Sequence, residues 1–206
     1  MKKIKLSNVL EEKNKFDDEE MIYDTCFKDV TISSIYRNGK IDGCRFENCK
    51  FSNINLEQVE WIDVLFDHCE FDCVHLLSST FCRTHFIGCR VSGLEMSDSL
   101  MQDVLFQGCK GNYCNFSGSK IKDCGFTQSD FNSSSFVHCD WKYSSFDHCN
   151  LENSEWMNTN LKGIDFSTSS ISNILVSNDL LKGVIVNEAQ ALEFVRILGV
   201  IVKSDF

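Results

Sequence analysis

The tetrapeptide Phe-Asp-His-Cys occurs twice in this chain, at residues 66–69 and 146–149. Zinc prefers thiolate and imidazole ligands, so each copy could supply half of a structural zinc site. The chain holds 12 cysteines and five histidines, enough for more than one such site. However, the two copies lie 80 residues apart (146 minus 66), and this spacing indicates a structural repeat.

Large apolar residues recur at every fifth position from Ile41 to Val186, and Gly111 is the single exception among the 30 positions. A small or compact residue usually comes two positions earlier, and the other three positions are mainly polar. A period of five matches neither an α-helix, with about 3.6 residues per turn, nor a strand, with about two. Self-similarity over this length predicts a solenoid.

The identity of the apolar residue repeats with a period of 20. Every twentieth residue from Phe46 to Phe166 is a phenylalanine, and a parallel column of cysteines begins at Cys49. Four pentapeptides therefore make one coil, in which like residues stack on like residues. The repeat from Ile41 to Val186 then corresponds to about eight coils.

This pattern resembles the pentapeptide repeat family over roughly residues 20–186. The resemblance implies an all-β solenoid, a right-handed quadrilateral β-helix of about eight coils of 20 residues, followed by a short C-terminal α-helix. In that fold the large residue and the small residue two positions before it point inward. We predict an N-terminal cap and irregular first coil at 1–40, the β-helix at 41–186, and a C-terminal dimerisation module at 187–206.

The same geometry argues against a zinc site. Cys69 takes the inward small position while His68 takes an outward corner position, so their side chains should diverge. Nine of the 12 cysteines fall at inward positions, where a thiol serves as a compact apolar side chain. Cys73 and Cys82 are outward and are expected to be the more reactive thiols. We predict no metal site and no cofactor.

The first coil departs from the main period. Its apolar positions, Ile22, Phe27 and Ile32, lie one residue out of phase with the later repeats. Residues 33–40 are therefore predicted to form a small loop that resets the register.

The period of five also ends near residue 186. Asn187 and Gln190 have the spacing of a helix capping box, and Gly199 stands where a left-handed C-cap is common. We predict a helix from about Glu188 to Leu198, followed by a short apolar strand over Val200–Val202.

The apolar band of this helix is wide for a single shallow contact. The segment is similar to the C-terminal module of the Qnr and MfpA quinolone resistance proteins, and the Cys- and Phe-rich repeats are similar to the Qnr branch. The resemblance implies a homodimer joined tail to tail through Leu192, Phe194, Val195 and Leu198. The alternative is a helix that only caps the last coil.

Acidic residues are concentrated on two opposite faces of the predicted solenoid. The chain has a net charge of −10, and almost all of it lies between residues 41 and 186. Such surfaces repel nucleic acid and attract basic surfaces. Ordinary solvated surface is the alternative interpretation. One face carries Glu57, Glu95, Asp98 and Glu155 with no Lys or Arg, and the opposite face carries Glu47, Asp67, Asp147 and Asp165 against Arg45 alone.

Eight coils at about 4.8 Å each would give a rod near 40 Å long, and two joined rods would match the length of some two dozen base pairs. The Qnr and MfpA resemblance implies a non-enzymatic DNA mimic that binds a type II topoisomerase, DNA gyrase or topoisomerase IV. Such a mimic would confer resistance to quinolones or other gyrase poisons. The alternative is a structural or adaptor solenoid with a different protein partner.

Other classes of function have little support in the sequence. The five histidines are scattered over outward positions, and the chain has no glycine-rich phosphate loop, so we do not expect an enzyme. It lacks an apolar run long enough for a membrane span, and its lysine-rich start does not lead into an apolar signal core. We therefore expect a cytoplasmic protein that binds neither membrane nor nucleic acid.

Overall fold

The computed structural model describes residues 1–16, 21–33 and 36–203 of the 206-residue chain. The chain winds into the predicted β-solenoid and ends in one α-helix. The strands in the described residues are β1 (Glu11–Lys13), β2 (Met21–Tyr23), β3 (Thr25–Lys28), β4 (Thr31–Ile32), β5 (Lys40–Asp42), β6 (Arg45–Glu47), β7 (Lys50–Asn55), β8 (Glu60–Asp67), β9 (Glu70–His75), β10 (Thr80–Ile87), β11 (Leu100–Gln102), β12 (Leu105–Gln107), β13 (Lys120–Lys122), β14 (Gly125–Thr127), β15 (Asp140–Lys142), β16 (Ser145–Asp147), β17 (Glu155–Trp156) and β18 (Leu175–Val176).

Strand pairing confirms the coil length. The pairs between these strands are parallel, and from β5 onward each residue lies opposite the residue 20 positions later. The coil has four faces. Face 1 begins with Ile41, face 2 with Phe46, face 3 with Phe51 and face 4 with Leu56, and each face continues every 20 residues.

The interior is filled by stacked large side chains. In the face 2 column the ring centroids of Phe86 and Phe106 are 4.5 Å apart, with an interplanar angle of 5°. Phe66 stacks on Phe86 at 4.7 Å. Each buried aromatic side chain removes about 150–250 Å² from water, so this continuous column supplies much of the apolar burial that holds the coils together.

The inward small residues also bond one coil to the next. Cys69 donates its thiol hydrogen to the carbonyl oxygen of Phe46 at 3.3 Å, and Ser79 donates its hydroxyl to that of Leu56 at 3.2 Å. These donors satisfy carbonyl groups inside the solenoid, where water cannot reach them. The inward cysteines therefore have a hydrogen-bonding role in addition to that of a compact apolar side chain, which the repeat pattern did not indicate.

The exception to the apolar series has a packing explanation. A Cβ atom at Gly111 would lie 2.8 Å from Cδ1 of Phe131 and 3.1 Å from Cγ2 of Val91. The Phe131 ring thus fills the space that a large residue would otherwise occupy, and only glycine leaves room for it.

Each corner of the coil is made by the residue two positions after the large one. Asn48 (φ 50°), His68 (φ 53°) and Asp98 (φ 56°) all adopt the left-handed conformation there, and so do many glycines. Asn, Asp and Gly tolerate this region better than other residues, which accounts for their enrichment in this column. The chain thereby turns repeatedly although it contains no proline.

The first coil is one residue shorter than the others. Ile22 lies opposite Ile41 and Phe27 opposite Phe46, an offset of 19 residues. Tyr36 is buried and already in phase with Ile41. The register therefore resets between Ile32 and Tyr36, a shorter interval than the predicted loop at 33–40; residues 34–35 lie outside the described residues.

The open end of the first coil is closed by Phe16. Its ring centroid is 5.5 Å from those of Phe27 and Tyr36, and the side chain is buried. Residues 1–6, by contrast, do not cap the end. They run along the outside of the solenoid, where the Lys2 N–H donates to Asp103 Oδ1 at 2.5 Å and the Lys5 N–H donates to Asp63 Oδ1 at 2.8 Å.

The C-terminal helix, α1, spans Glu188–Ile197. The predicted capping box is present: the Gln190 N–H donates to Asn187 Oδ1 at 3.0 Å, and the Asn187 N–H donates to Gln190 Oε1 at 2.9 Å. Gly199 has a φ of 79°, as expected for a left-handed C-cap. The Gln190 amide also donates to the carbonyl of Phe166 at 2.9 Å, which ties the helix to the last coils.

The prediction of a strand over Val200–Val202 was wrong, because these residues are not in a strand. A strand needs a hydrogen-bonded neighbour, and the described residues offer none beside this segment. No helix in the described ranges has the length and apolar character needed to cross a membrane.

Candidate functional site

The acidic residues of face 4 lie along the length of the solenoid. Glu95 and Glu155 occupy the same outward column, linked coil by coil through Asn115 and Ser135. They are three coils apart, or about 14 Å at the usual strand spacing. Glu57 lies in the neighbouring column and Asp98 at the corner. The structure therefore spreads these carboxylates over one side of the rod.

Among the described residues, the hydrogen-bond donors to the side chains of Glu57 and Glu95 are neutral asparagines. Asn55 Nδ2 donates to Glu57 Oε1 at 2.7 Å, and Asn115 Nδ2 donates to Glu95 Oε2 at 2.9 Å. Asp98 and Glu155 are exposed. None of the four carboxylates forms an ion pair with another described residue. Their negative charge is therefore uncompensated and open to a partner.

Face 2 differs at its N-terminal end because its acids are paired. Arg45 Nε lies 2.6 Å from Glu47 Oε1, and Arg45 Nη2 lies 3.2 Å from Asp67 Oδ2. Lys28 Nζ also lies 3.9 Å from Glu47 Oε2. The guanidinium thus bridges two successive coils and cancels part of the charge that the sequence predicted for this face.

The C-terminal half of face 2 keeps its charge. Asp147 Oδ1 lies 2.8 Å from His148 Nδ1. Asp165 is hydrogen-bonded by the hydroxyl and the N–H of Ser167, and these bonds lower the pKa of its carboxyl. Both aspartates are exposed.

An ion pair that is not among the predicted acidic residues lies at the edge between faces 1 and 2. Arg83 pairs with Asp63 through two contacts of 2.6 Å, from Nε to Oδ1 and from Nη2 to Oδ2. Burial alone would raise the pKa of the Asp63 carboxyl, but the bonds from Arg83 and from the Lys5 N–H outweigh it and lower that pKa. This pair could have been predicted from the sequence, because Asp63 and Arg83 are 20 residues apart and such residues are neighbours in successive coils.

The structure separates the His and Cys side chains of the repeated tetrapeptide. The His68 side chain is 68% exposed and its Nδ1 lies 2.6 Å from Asp67, whereas Cys69 is buried. In the described part of the chain, no three His, Cys, Asp or Glu residues gather as metal ligands would.

The cysteines divide as the repeat predicts. The nine inward cysteines are buried free thiols, and burial raises the pKa of Cys44, for example, to about 11. Cys73 is exposed and Cys82 half-buried. The Cys44 thiol is therefore protonated and unreactive at neutral pH.

The predicted dimer residues do not share one environment. Phe194 is buried within its own chain as part of the core that covers the last coil, so it is unavailable to a second copy. Its assignment to an interface was wrong because the helix turns this side of its apolar band inward. Val195 is half-buried, while Leu192 and Leu198 are exposed.

Comparison with known families agrees with this geometry. Residues 59–132 match the family model described as a pentapeptide repeat region. The chain carries a pentapeptide repeat region. Outside the matched residues, β5 and β16 continue the same 20-residue register, so the pentapeptide repeat extends on both sides of the match.

Several solved pentapeptide-repeat structures are similar in fold. A trypsin-treated form of QnrB1, described as a plasmid-mediated fluoroquinolone resistance protein, is 18% identical with a TM-score of 0.42, and the match covers 95% of this chain and 97% of that chain. HetL of the cyanobacterium Nostoc, described as involved in heterocyst differentiation regulation, is 8% identical with a TM-score of 0.47, covering 79% and 92%. A thylakoid-lumen protein of Arabidopsis thaliana is 16% identical with a TM-score of 0.36, covering 55% and 72%.

These likenesses concern the fold alone. No curated protein matches the chain.

Proposed function

We propose that this chain is a non-enzymatic DNA mimic that binds a type II topoisomerase, DNA gyrase or topoisomerase IV, and protects it from quinolones or other gyrase poisons. The binding surface in this proposal is face 4. Its carboxylates would take the place of duplex phosphates against the basic surface that normally receives DNA.

The observation that carries the proposal is the uncompensated charge of face 4. Glu57, Glu95, Asp98 and Glu155 face outward and form no ion pair with another described residue. From Leu56 onward the face has no Lys or Arg, and the exposed Arg37 lies one coil before Glu57. Solvent-exposed like charges repel one another and contribute nothing to folding, so a partner of opposite charge is a physical reason for keeping them together. The Cys- and Phe-rich repeat, similar to that of the Qnr proteins, points to the same class of partner.

The proposal includes a tail-to-tail homodimer. Leu192 on α1, Leu198 at its C-cap and Val200–Val202 after it form an exposed apolar group at the C-terminal end of the rod. Apolar groups of this kind at one end of a soluble protein mark contact surfaces. A second copy would cover this group and double the length of the acidic face.

The experiment is a supercoiling and ciprofloxacin-stabilised cleavage assay with purified gyrase over a range of protein concentrations. The test variant changes the four face 4 residues to Gln or Asn. The matched control makes the same change at Glu47, Asp67, Asp147 and Asp165 of face 2, which removes the same formal charge. We expect the protective concentration to rise at least about tenfold for face 4 and much less for face 2.

An equal rise in the protective concentration for the two variants would contradict recognition by face 4. No effect of the unaltered protein on either readout would contradict the topoisomerase partner itself. Analytical ultracentrifugation tests the dimer separately: Leu198→Asp with Val200→Asp should give monomers, whereas Leu100→Asp, an exposed leucine on face 1, should not.

A second candidate function is an adaptor solenoid with another protein partner. Face 1 offers the observation in its favour, because a shallow apolar depression there is lined by Phe81, Leu100 and Met101 and bordered by Lys120 and Lys122. Such a surface suits an acidic protein segment with an apolar anchor. Pull-down with Leu100→Asp as the control variant distinguishes this function from face 4 recognition.

A further inference from the structure

The N-terminal arm, residues 1–6, crosses the outside of three successive coils. Its two anchor points are Asp103, which accepts from the Lys2 N–H, and Asp63, which accepts from the Lys5 N–H. These aspartates are two coils apart, about 9.6 Å along the solenoid axis. The backbone nitrogens of Lys2 and Lys5 are three residue steps apart, which span about 10 Å in an extended chain. The arm is therefore an extended segment parallel to the solenoid axis.

The arm passes over the coil that contains Arg83 and His85. Ile4 and Leu6 are half-buried while Lys2, Lys3 and Lys5 are exposed. An extended chain places alternate side chains on opposite sides, so Ile4 and Leu6 face the solenoid.

The residues beneath the arm are covered more than several apolar residues at the same pentapeptide position elsewhere. Leu65, His85 and Leu105 lie opposite one another in successive coils, in the position just before the large residue of face 2. All three are half-buried. Three apolar residues at the same position of other pentapeptides are more exposed: Leu100 is 49%, Leu175 54% and Ile185 47% exposed. Leu180, at the end of a short 3-10 turn, is half-buried as well.

His85 is unlike the other histidines. His68 and His148 have side chains that are 68% exposed, and His75 and His138 are exposed as well. By contrast, His85 Nε2 is buried and has no hydrogen-bond partner among the described residues. Burial without a partner disfavours the imidazolium form and lowers the pKa of His85 below its ordinary value of 6.5.

We propose that the N-terminal arm is a releasable strap, which is docked over Leu65, His85 and Leu105 and is released when His85 takes up a proton. Release uncovers an apolar strip and the Asp63 and Asp103 carboxylates at one edge of face 2. The surface that the solenoid offers to a partner then depends on pH.

The charges around His85 explain why its protonation opposes docking. The arm is strongly basic, and Arg83 lies on the same strand as His85, so a proton on the imidazole adds a buried like charge to this group. Asp63 and Asp103 attract the arm and hold it while His85 is neutral. The charged groups at this edge are Asp63, Asp67, Arg83 and Asp103 of the solenoid, and Lys2, Lys3, Lys5 and the Met1 amino group of the arm.

Docking weakens as the pH falls because the docked state holds fewer protons at His85 than the released state does. The titration of His85 leaves docking unchanged above the ordinary value of 6.5 and weakens it as the pH falls below that value. The docking constant should fall by up to about tenfold per pH unit until the pKa of the docked state is reached. Asp63 acts in a separate, lower window, because its lowered pKa keeps it ionised down to below 3.8.

The experiment is NMR on the full chain labelled with 15N-lysine, following the Lys2 and Lys5 amide signals between pH 5 and 8. Amides that donate to carboxylates have distinct shifts and slow hydrogen exchange, so both signals report docking directly. We expect protected amides at pH 8 and a loss of protection centred below pH 6.5.

The test variant is His85→Leu, which continues the column of Leu65 and Leu105 and should preserve the fold. It should keep the arm docked down to pH 5. The matched control is His75→Leu, at the same pentapeptide position on face 4, which should titrate like the unaltered protein. Asp103→Asn should loosen the arm at every pH.

Unprotected Lys2 and Lys5 amides at pH 8 would overturn the proposal. So would a pH profile that is the same in His85→Leu as in the unaltered protein. A profile that is flat in His85→Leu and unchanged in His75→Leu would establish the strap.

Discussion

Face 4 and face 2 are built from the same repeat and each carries four of the acidic residues selected from the sequence, but their electrostatics differ. On face 4, Glu57 and Glu95 are contacted by asparagine side chains only. On face 2, Arg45 binds both Glu47 and Asp67, and the N-terminal arm covers one edge. A count of charges along a face therefore does not give its field, because residues 2 or 22 positions apart become neighbours in the coil.

The largest predicted effect comes from a substitution in the phenylalanine core, which supports both faces. Phe86→Ala opens a gap in the column between Phe66 and Phe106, which stack on it at 4.7 and 4.5 Å. We expect the free energy of unfolding to fall by about 3–5 kcal/mol, the usual cost of truncating a buried phenylalanine. Chemical denaturation measures this loss. Hydrogen exchange should show loosening on both faces, and loosening confined to one face would contradict a common core.

The second largest effect on stability distinguishes a paired corner residue beside face 2 from an unpaired corner residue on face 4. Asp63 and Asp98 occupy the same pentapeptide position and both have left-handed backbones, but only Asp63 is buried and paired with an arginine. Asp63→Asn should lower the free energy of unfolding by about 2 kcal/mol, because it leaves Arg83 without its carboxylate. Asp98→Asn is the matched control and should change it by less than about 0.5 kcal/mol. Comparable losses would show that the Arg83 pair contributes little.

The same pair predicts a pH dependence. The folded protein lowers the pKa of Asp63, so this group stabilises the fold at pH values above its unfolded value of 3.8. That contribution is lost as the pH falls from 3.8 through the lower folded value. Acid unfolding of Asp63→Asn should therefore begin from a lower stability at neutral pH and converge with the unaltered protein in strong acid. Parallel curves at all pH values would contradict the linkage.

The smallest effect concerns the exposed charges. Glu47→Gln with Asp67→Asn removes the partners of Arg45 and should cost up to about 1 kcal/mol at low ionic strength. Glu95→Gln with Glu155→Gln removes unpaired charges and should cost nothing, since Gln keeps the contact with Asn115. Thermal unfolding in low and high salt measures both, and the difference should shrink in high salt because exposed pairs are screened. A larger loss on face 4 would reverse the comparison.

Much of the fold follows from the five-residue period. The inward position of Cys69, the corner position of His68 and the capping box of Asn187 and Gln190 are all as predicted. Each depends on residues close in sequence or on strict periodicity. The failures lie where the period stops: Phe194 turns inward, Val200–Val202 has no strand to pair with, and the register resets before Tyr36.

The acidic surfaces were predictable only in part. Columns of like residues assigned Glu95 and Glu155 to one face, since that needs only the coil length. The pairing of Asp63 with Arg83 was also within reach, because the two are 20 residues apart. The contact between Asp103 and Lys2 was not, because 101 residues separate them and neither belongs to a pattern that includes the other.

The amino-acid sequence predicted the solenoid, its coil length and the inward or outward direction of each repeat position. It could do so because a strict period places every residue relative to its neighbours without knowledge of distant contacts. Tertiary contacts determine which carboxylates lack an ion pair, where the N-terminal arm lies and why His85 Nε2 is buried. Those features depend on side chains from segments without a period meeting the finished surface of the solenoid, and only the folded chain brings them together.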